Sequence, residues 1–69
     1  MRALVTAGAS GIGHAIAAGF SAEGAEVWIC DIDPAALETA FTDDPNVTAR
    51  LTDVADADQV EALFAEIHQ

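Results

Sequence analysis

Apolar and polar positions along the 69-residue chain change repeatedly between two spacings, that of a buried strand and that of an amphipathic helix. Short, nearly continuous apolar runs predict strands that are buried on both faces of a sheet. These runs occupy residues 3–6, 26–31 and 47–54. A segment with helical spacing follows each run, so the pattern predicts three strands and three helices in alternation.

The first helix is predicted from Ile12, Ile16 and Phe20, whose i, i+4, i+8 spacing forms an apolar stripe with Ala17 beside it. Gly24 marks the end of this helix, because glycine readily takes the left-handed conformation that closes a helix.

The second and third helices carry N-terminal signals. Asp33 is a predicted N-cap with Pro34 at the first helical position, and this helix is expected to reach about Phe41. Asp56 and Gln59 have the spacing of a capping box. The apolar stripe of the third helix follows an i, i+3, i+4, i+7 pattern and consists of Val60, Leu63, Phe64 and Ile67.

The order β-α-β-α-β-α with short connections favours parallel strands joined by right-handed crossovers. Three such strands with helices on both faces make half of a doubly wound sheet. We therefore expect one α/β unit over residues 1–69, a partial Rossmann-like doubly wound parallel sheet with three strands.

Charge and composition narrow the possible partners. Twelve acidic residues oppose two arginines, Arg2 and Arg50, for a formal net charge of −10, which disfavours nucleic acid and anionic membranes as partners. Cys30 is the only cysteine, so no disulfide within the chain is expected, and His14 and His68 have no metal-ligand spacing. No signal-peptide or membrane-spanning pattern is present, and a cytoplasmic location is expected.

Three glycines, Gly8, Gly11 and Gly13, lie between the first strand and the first helix. Such a turn exposes backbone N–H groups at the positive end of the helix dipole, where a phosphate can approach closely. A tight turn that only lets helix and strand pack together is the alternative. Asp31 ends the second strand 18 residues after Gly13, near the offset of about 20 residues at which a carboxylate binds a ribose hydroxyl.

Asp53 ends the third run, so both acids are predicted to lie at the carboxyl edge of the sheet, where open α/β folds bind ligands. A local role is the alternative here as well, since aspartate often caps a turn.

The chain resembles the N-terminal part of the short-chain dehydrogenase/reductase family along all 69 residues. The family motif TGxxxGIG matches residues 6–13, except that Ala7 stands in place of the first glycine. Either the turn tolerates the methyl group, with Gly8 relieving the strain, or the loop is displaced. The stretches at residues 22–27, 30–32 and 51–54 also match the family.

This resemblance implies a role for each matching residue. The turn that contains Gly8, Gly11 and Gly13 would hold the pyrophosphate, with Ser10 on the adenosine side and Ile12 donating its backbone N–H. Asp31 would bind the adenosine ribose, and Ile32 would lie beside the adenine. Asp53 and Val54 would contact the adenine ring, with Asp53 accepting from the exocyclic amine. No Arg or Lys is available near Asp31 for a 2′-phosphate, so NAD is expected rather than NADP.

The family's catalytic Ser and Tyr-x-x-x-Lys group would lie beyond residue 69, and the chain has neither tyrosine nor lysine. No catalytic residue is therefore assigned. The chain is predicted to be the cofactor-binding portion of an oxidoreductase acting on an alcohol/ketone pair, accompanied by the rest of the enzyme and by further subunits. The alternatives are a non-catalytic nucleotide-binding module and a structural fragment without nucleotide affinity. Residues 1–69 alone are expected to be marginally stable or to associate, because the first strand would lack a neighbour on one side.

Overall fold

A computed structural model describes residues 1–9, 11–41 and 43–68. Three strands and three helices alternate along the chain, as the hydrophobic pattern predicts. Their bounds are β1 Arg2–Thr6, α1 Gly11–Ala22, β2 Glu26–Asp31, α2 Pro34–Thr39, β3 Val47–Leu51 and α3 Ala57–Ile67.

The strands form one parallel sheet in the order β1-β2-β3. In register, Val5 of β1 lies opposite Ile29 of β2, and Ile29 lies opposite Ala49 of β3. The expected α/β architecture, a partial Rossmann-like doubly wound sheet, is confirmed. Because all three strands run in the same direction, the segments that follow them meet at one edge of the sheet.

The central strand is buried on both faces because a helical layer covers each side. Val27 and Ile29 pack with Ala17 of α1 and with α2, whereas Trp28 and Cys30 pack with Leu63 and Ile67 of α3. Trp28 is therefore a core residue, as its mid-strand position suggests, and Cys30 is a buried free thiol.

Only part of the apolar stripe predicted on α1 packs against the sheet. Ala17 and Ser21 are the buried residues of this helix, whereas Ile12 and Ile16 are 81% and 48% exposed. The helix starts very close to the preceding turn, since a Cβ atom placed on Gly13 would lie 2.2 Å from the carbonyl oxygen of Ala7. Small side chains therefore face the sheet, and the larger isoleucines lie outside.

Two elements end earlier than the sequence pattern indicates. Strand β3 ends at Leu51 and not at Val54, because the following segment turns toward α3. Helix α2 ends at Thr39, and Phe41 just beyond it has a φ of +55°, which is incompatible with a continuing right-handed helix. The predicted N-caps are confirmed: Asp33 and Asp56 accept hydrogen bonds from the first backbone N–H groups of α2 and α3.

Candidate functional site

The ends of all three strands enclose a cleft of about 200 Å³ at the carboxyl edge of the sheet. Four of its lining residues are among the predicted cofactor-binding residues: Asp31, Ile32, Asp53 and Val54. The other three are Ala7, Cys30 and Thr52. The two strand-end acids and their apolar neighbours therefore meet in one place, as their positions in the sequence predict.

Backbone hydrogen bonds beyond the strands hold the walls of this cleft at a fixed spacing. The N–H of Gly8 donates to the carbonyl oxygen of Cys30 at 3.2 Å, and the N–H of Thr52 donates to that of Asp31 at 3.0 Å. Thr52 is also buried. These bonds continue the pairing of the sheet into the cleft, so the positions of the glycine turn, Asp31 and Asp53 depend on one another.

The glycines of the turn have different surroundings. A Cβ atom on Gly8 would lie 2.7 Å from the side chain of Ile29, so this residue allows the turn to rest on β2. Gly13 allows α1 to begin against the carbonyl of Ala7. Gly11 has a φ of +62°, and apart from its chain neighbours and its own helix no described residue lies within 4 Å of its missing Cβ atom, which leaves open space at the start of α1. Packing thus accounts for Gly8 and Gly13, whereas the positive φ accounts for Gly11.

The left-handed conformation at the start of the turn is adopted by Ala7, with a φ of +52°. Gly8 is not among the described residues with positive φ, so it does not take over this role. The turn thus keeps its hydrogen bond to β2 with a methyl group at the strained position.

Among the described residues of the turn, Ile12 and the three glycines do not line the cleft. Ile12 is exposed in the first turn of α1. Ser10 lies outside the described residues.

Each strand-end carboxylate is oriented by a local hydrogen bond. Asp31 Oδ1 accepts from the backbone N–H of Asp33 at 3.2 Å, and Asp53 Oδ1 accepts from that of Ala55 at 2.9 Å. Turn-capping by these acids is therefore present, and among the described residues it leaves the second carboxylate oxygen of each for another donor. A local role and a ligand-binding role are compatible at both positions.

The two arginines are engaged away from the cleft. Arg2 Nε lies 2.8 Å from Glu26 Oε2, and an Arg50 terminal nitrogen lies 2.7 Å from Glu66 Oε2. These hydrogen bonds hold the pKa of Glu26 and of Glu66 below the usual glutamate value. No Lys or Arg lines the cleft within the described ranges, so its charged side chains are the two aspartates.

His14 does not line the cleft. Its ring stacks on that of Phe41 with the centroids 4.3 Å apart, and both residues border a separate hollow beside Asp43 and Asp44.

The described residues contain no group of three or more His, Cys, Asp or Glu side chains arranged to hold a metal ion. Within the part of the chain that the structure describes, none of the helices has the length and apolar character of a membrane span.

Sequence reasoning missed three residues of this region. Ala7 was considered only as a departure from a motif, Thr52 only as part of a matching stretch, and Gln59 only as a helix signal. In the structure the Gln59 side chain accepts a hydrogen bond from the Asp53 N–H at 2.9 Å. Its position three residues after an N-cap was the one available signal.

Comparison with known proteins gives a consistent picture. A family model described as short chain dehydrogenase matches residues 1–69. The chain is 44% identical over 68 residues to a short chain dehydrogenase/reductase of Colletotrichum higginsianum, covering 93% of this chain and 25% of that protein. It is 41% identical to the 2-keto-3-deoxy-L-fuconate dehydrogenase of Xanthomonas campestris, covering 93% of this chain and 21% of that protein.

A solved structure has the same fold. It is a variant of actinorhodin polyketide ketoreductase with NADPH, which matches with a TM-score of 0.89 and 33% sequence identity. The match covers 96% of this chain and 27% of the ketoreductase. The chain thus spans about a quarter of the length of the relatives it matches.

Proposed function

The chain belongs to the short-chain dehydrogenase family, and from this membership we propose that residues 1–69 form the NAD-binding N-terminal portion of an oxidoreductase that interconverts an alcohol and a ketone. Membership of the family implies a nicotinamide dinucleotide cofactor. The observation that carries the proposal is the meeting of Asp31, Ile32, Asp53 and Val54 in one cleft beside the glycine turn.

The chemistry of the cleft fits the adenosine half of a dinucleotide. Asp31 offers a carboxylate oxygen to the ribose diol, and Asp53 offers one to the exocyclic amine of adenine. Ile32 and Val54 are 66% and 57% exposed, and an adenine ring between them would cover apolar surface that is otherwise in water. The open space at Gly11 supports a pyrophosphate near the start of α1, with Ile12 and Ser10 beside it.

Charge supports NAD over NADP. A 2′-phosphate on the ribose would lie next to the Asp31 carboxylate, and both arginines are paired with glutamates elsewhere. The repulsion would be uncompensated, because no basic side chain lines the cleft in the part of the chain that the structure describes. The similar ketoreductase binds NADPH, so cofactor preference is a property to be measured for this chain.

The catalytic groups are proposed to lie outside residues 1–69. The chain contains no tyrosine and no lysine, so the family's acid and its lysine partner must come from another segment. The dinucleotide would supply or accept the hydride, and the residues described here would bind and orient its adenosine end. We also propose that the assembled enzyme contains further copies of itself, which sedimentation of the native protein tests. Its proposed location is the cytoplasm, which cell fractionation tests.

The cofactor proposal is tested by titrating NAD and NADP against the native polypeptide that carries residues 1–69. NAD should bind more tightly. The Asp31→Asn variant should bind NAD about tenfold more weakly and discriminate less against NADP, since a hydrogen bond to a charged group contributes about 1.5–3 kcal/mol. Asp43→Asn removes the same charge from an exposed residue outside the cleft and should change neither affinity.

Tighter binding of NADP would overturn the cofactor preference and leave the site intact. Binding of neither dinucleotide would overturn the site itself. A denaturing intact-mass spectrum of the native material should show the residues 1–69 joined to, or accompanied by, sequence that carries tyrosine and lysine.

A further inference from the structure

One side chain of α3 connects the start of that helix to the cleft. Gln59 Oε1 accepts from the backbone N–H of Asp53 at 2.9 Å, and Gln59 Nε2 donates to Asp56 Oδ2 at 3.1 Å. We propose that Gln59 is a positioning residue, which fixes the Asp53 carboxylate for recognition of the adenine amine and so determines the preference for the base. This inference rests on the proposed function and assigns a role to a residue outside the cofactor motif.

The cap of α3 is made by the Asp56 carboxylate, and Gln59 contributes to it only by holding that carboxylate. Asp56 caps α3 by accepting from the backbone N–H groups of Asp58 at 3.0 Å and of Gln59 at 3.3 Å. In a usual capping box, the side chain at this position accepts from the N–H of the N-cap residue. Here the N–H of Asp56 donates to the Asp53 carbonyl at 2.9 Å, and the Gln59 amide reaches past it to Asp53.

Asp53 depends on hydrogen bonds for its orientation because it is exposed and is not held by packing. Its N–H is bound by Gln59, its carbonyl by the N–H of Asp56, and its Oδ1 by the N–H of Ala55. Among the described residues Oδ2 accepts no hydrogen bond, which leaves this oxygen for a ligand. The bond to Gln59 is the one of the three that a side-chain substitution can remove without changing Asp53 itself.

Gln59 lies beside the space in which the adenine base would bind. A second hollow, of about 240 Å³, adjoins the cleft and is lined by Ile32, Leu51, Asp53 and Gln59. Ile32 and Asp53 belong to both spaces. Loss of the Gln59 amide would therefore release Asp53 at the point where the exocyclic amine is read.

The test uses the native polypeptide that carries residues 1–69 and two ligands, NAD and the analogue in which hydrogen replaces the 6-amino group of adenine. Gln59→Met keeps the length and helix propensity of the side chain but removes its polar atoms. We expect this variant to bind NAD about tenfold more weakly, because a displaced Asp53 carboxylate would lose its charge-assisted hydrogen bond to the adenine amine. It should bind the analogue nearly as well as the unmodified protein does.

Glu61→Ala, at an exposed position in the same helix, is the matched control and should change neither affinity. In an Asp53→Ala background, Gln59→Met should have no further effect on NAD binding, because its action passes through Asp53. If Gln59→Met does not give a cooperative thermal transition, Gln59→Ala is measured in the same way.

An equal loss of affinity for both ligands, an additive loss in the double variant, or no loss would each overturn the role of Gln59. Failure of the unmodified protein to bind NAD would instead overturn the proposed function, so the two failures are distinguishable.

Discussion

Among the described residues of the glycine turn, Ala7 is the one position where the backbone favours glycine but the sequence supplies another residue. Its φ of +52° is imposed from both sides, because Gly8 rests on Ile29 and Gly13 rests on the Ala7 carbonyl. An L-residue in this conformation costs about 1–2 kcal/mol. The turn keeps its geometry, and the strain lowers the free energy of unfolding of the protein.

Replacement of Ala7 by glycine should therefore stabilise the protein. Relief of the strain is partly offset by the greater freedom of glycine in the unfolded chain, about 0.4–1 kcal/mol, so a net gain of about 0.5–1 kcal/mol is expected. Urea denaturation of the native polypeptide should show a higher midpoint with an unchanged slope.

The matched control is Ala65→Gly, the same substitution at an exposed position of α3, which should cost about 1 kcal/mol. A destabilised Ala7→Gly variant would mean that the methyl group makes packing contacts that outweigh the backbone strain.

At the scale of elements, the sequence predicts which segments form strands and helices better than it predicts which helix face is buried. The run through β2 is buried on both faces, and Asp33 and Asp56 cap their helices as expected. The stripe of Ile12 and Ile16 on α1 was misleading, because the close approach of α1 to the turn requires small residues on the packed side.

In the candidate site too, some residues could be predicted from the sequence and others could not. Asp31 and Asp53 were found because a parallel sheet brings the ends of its strands to one edge. Gln59 was not found, because its partner depends on how residues 53–56 turn after β3. Residue spacing predicts local structure, whereas a hydrogen bond between a loop and a helix depends on the three-dimensional path of the loop.

Helix α3 is attached to the sheet by apolar packing and by both arginines at its last turn. Leu63 and Ile67 are buried against Trp28, while Phe64 of the predicted stripe is partly exposed. Arg50 binds Glu66, and Arg2 donates to the carbonyl oxygen of Ile67. The only lysine or arginine side chains in the chain thus support one helix end, where the dipole favours positive charge.

The ion pair of Arg50 and Glu66 should make stability depend on pH. Because Arg50 lowers the pKa of Glu66, the pair stabilises the folded state above the unfolded pKa of this carboxyl, and the contribution is lost as pH falls through the lowered folded-state pKa. At neutral pH the melting temperature of Glu66→Gln should lie below that of the unmodified protein. The difference should shrink as the pH falls below the ordinary glutamate pKa of about 4.3.

Thermal melts from neutral pH into the acid range measure this difference. Glu61→Gln removes an exposed charge from the same helix and provides the control. A gap between Glu66→Gln and the unmodified protein that persisted unchanged into acid would exclude titration of Glu66 as its source.

For the molecule as a whole, the sheet ends at β1, which hydrogen-bonds to β2 alone within the described residues. Its other edge presents unpaired backbone groups beside Leu4 and Val5, and such edges pair readily with another chain. In the proposed enzyme, another segment would cover this edge. The net charge of −10 opposes association between copies but does not satisfy the backbone groups.

Residues 1–69 prepared alone should therefore associate, and their thermal transition should shift with protein concentration. Thr6→Lys, which adds a charge at the exposed end of β1, should weaken the association by the mechanism that natural edge strands use. Sedimentation velocity over a range of concentrations measures the effect. A monomer with a concentration-independent transition would show that the three-stranded unit is self-sufficient.

Because Cys30 is buried, the reactivity of its thiol can report on local opening of the protein. Its thiol has no exposed surface, lies under α3 with Trp28 and Leu63, and has a pKa that burial raises. A thiol-specific reagent can reach it only when the packing around it opens, either where α3 covers it or at the cleft that it lines. The rate of alkylation in the native state thus counts those openings, and slower alkylation in the presence of a dinucleotide would show that an occupied cleft shields the thiol.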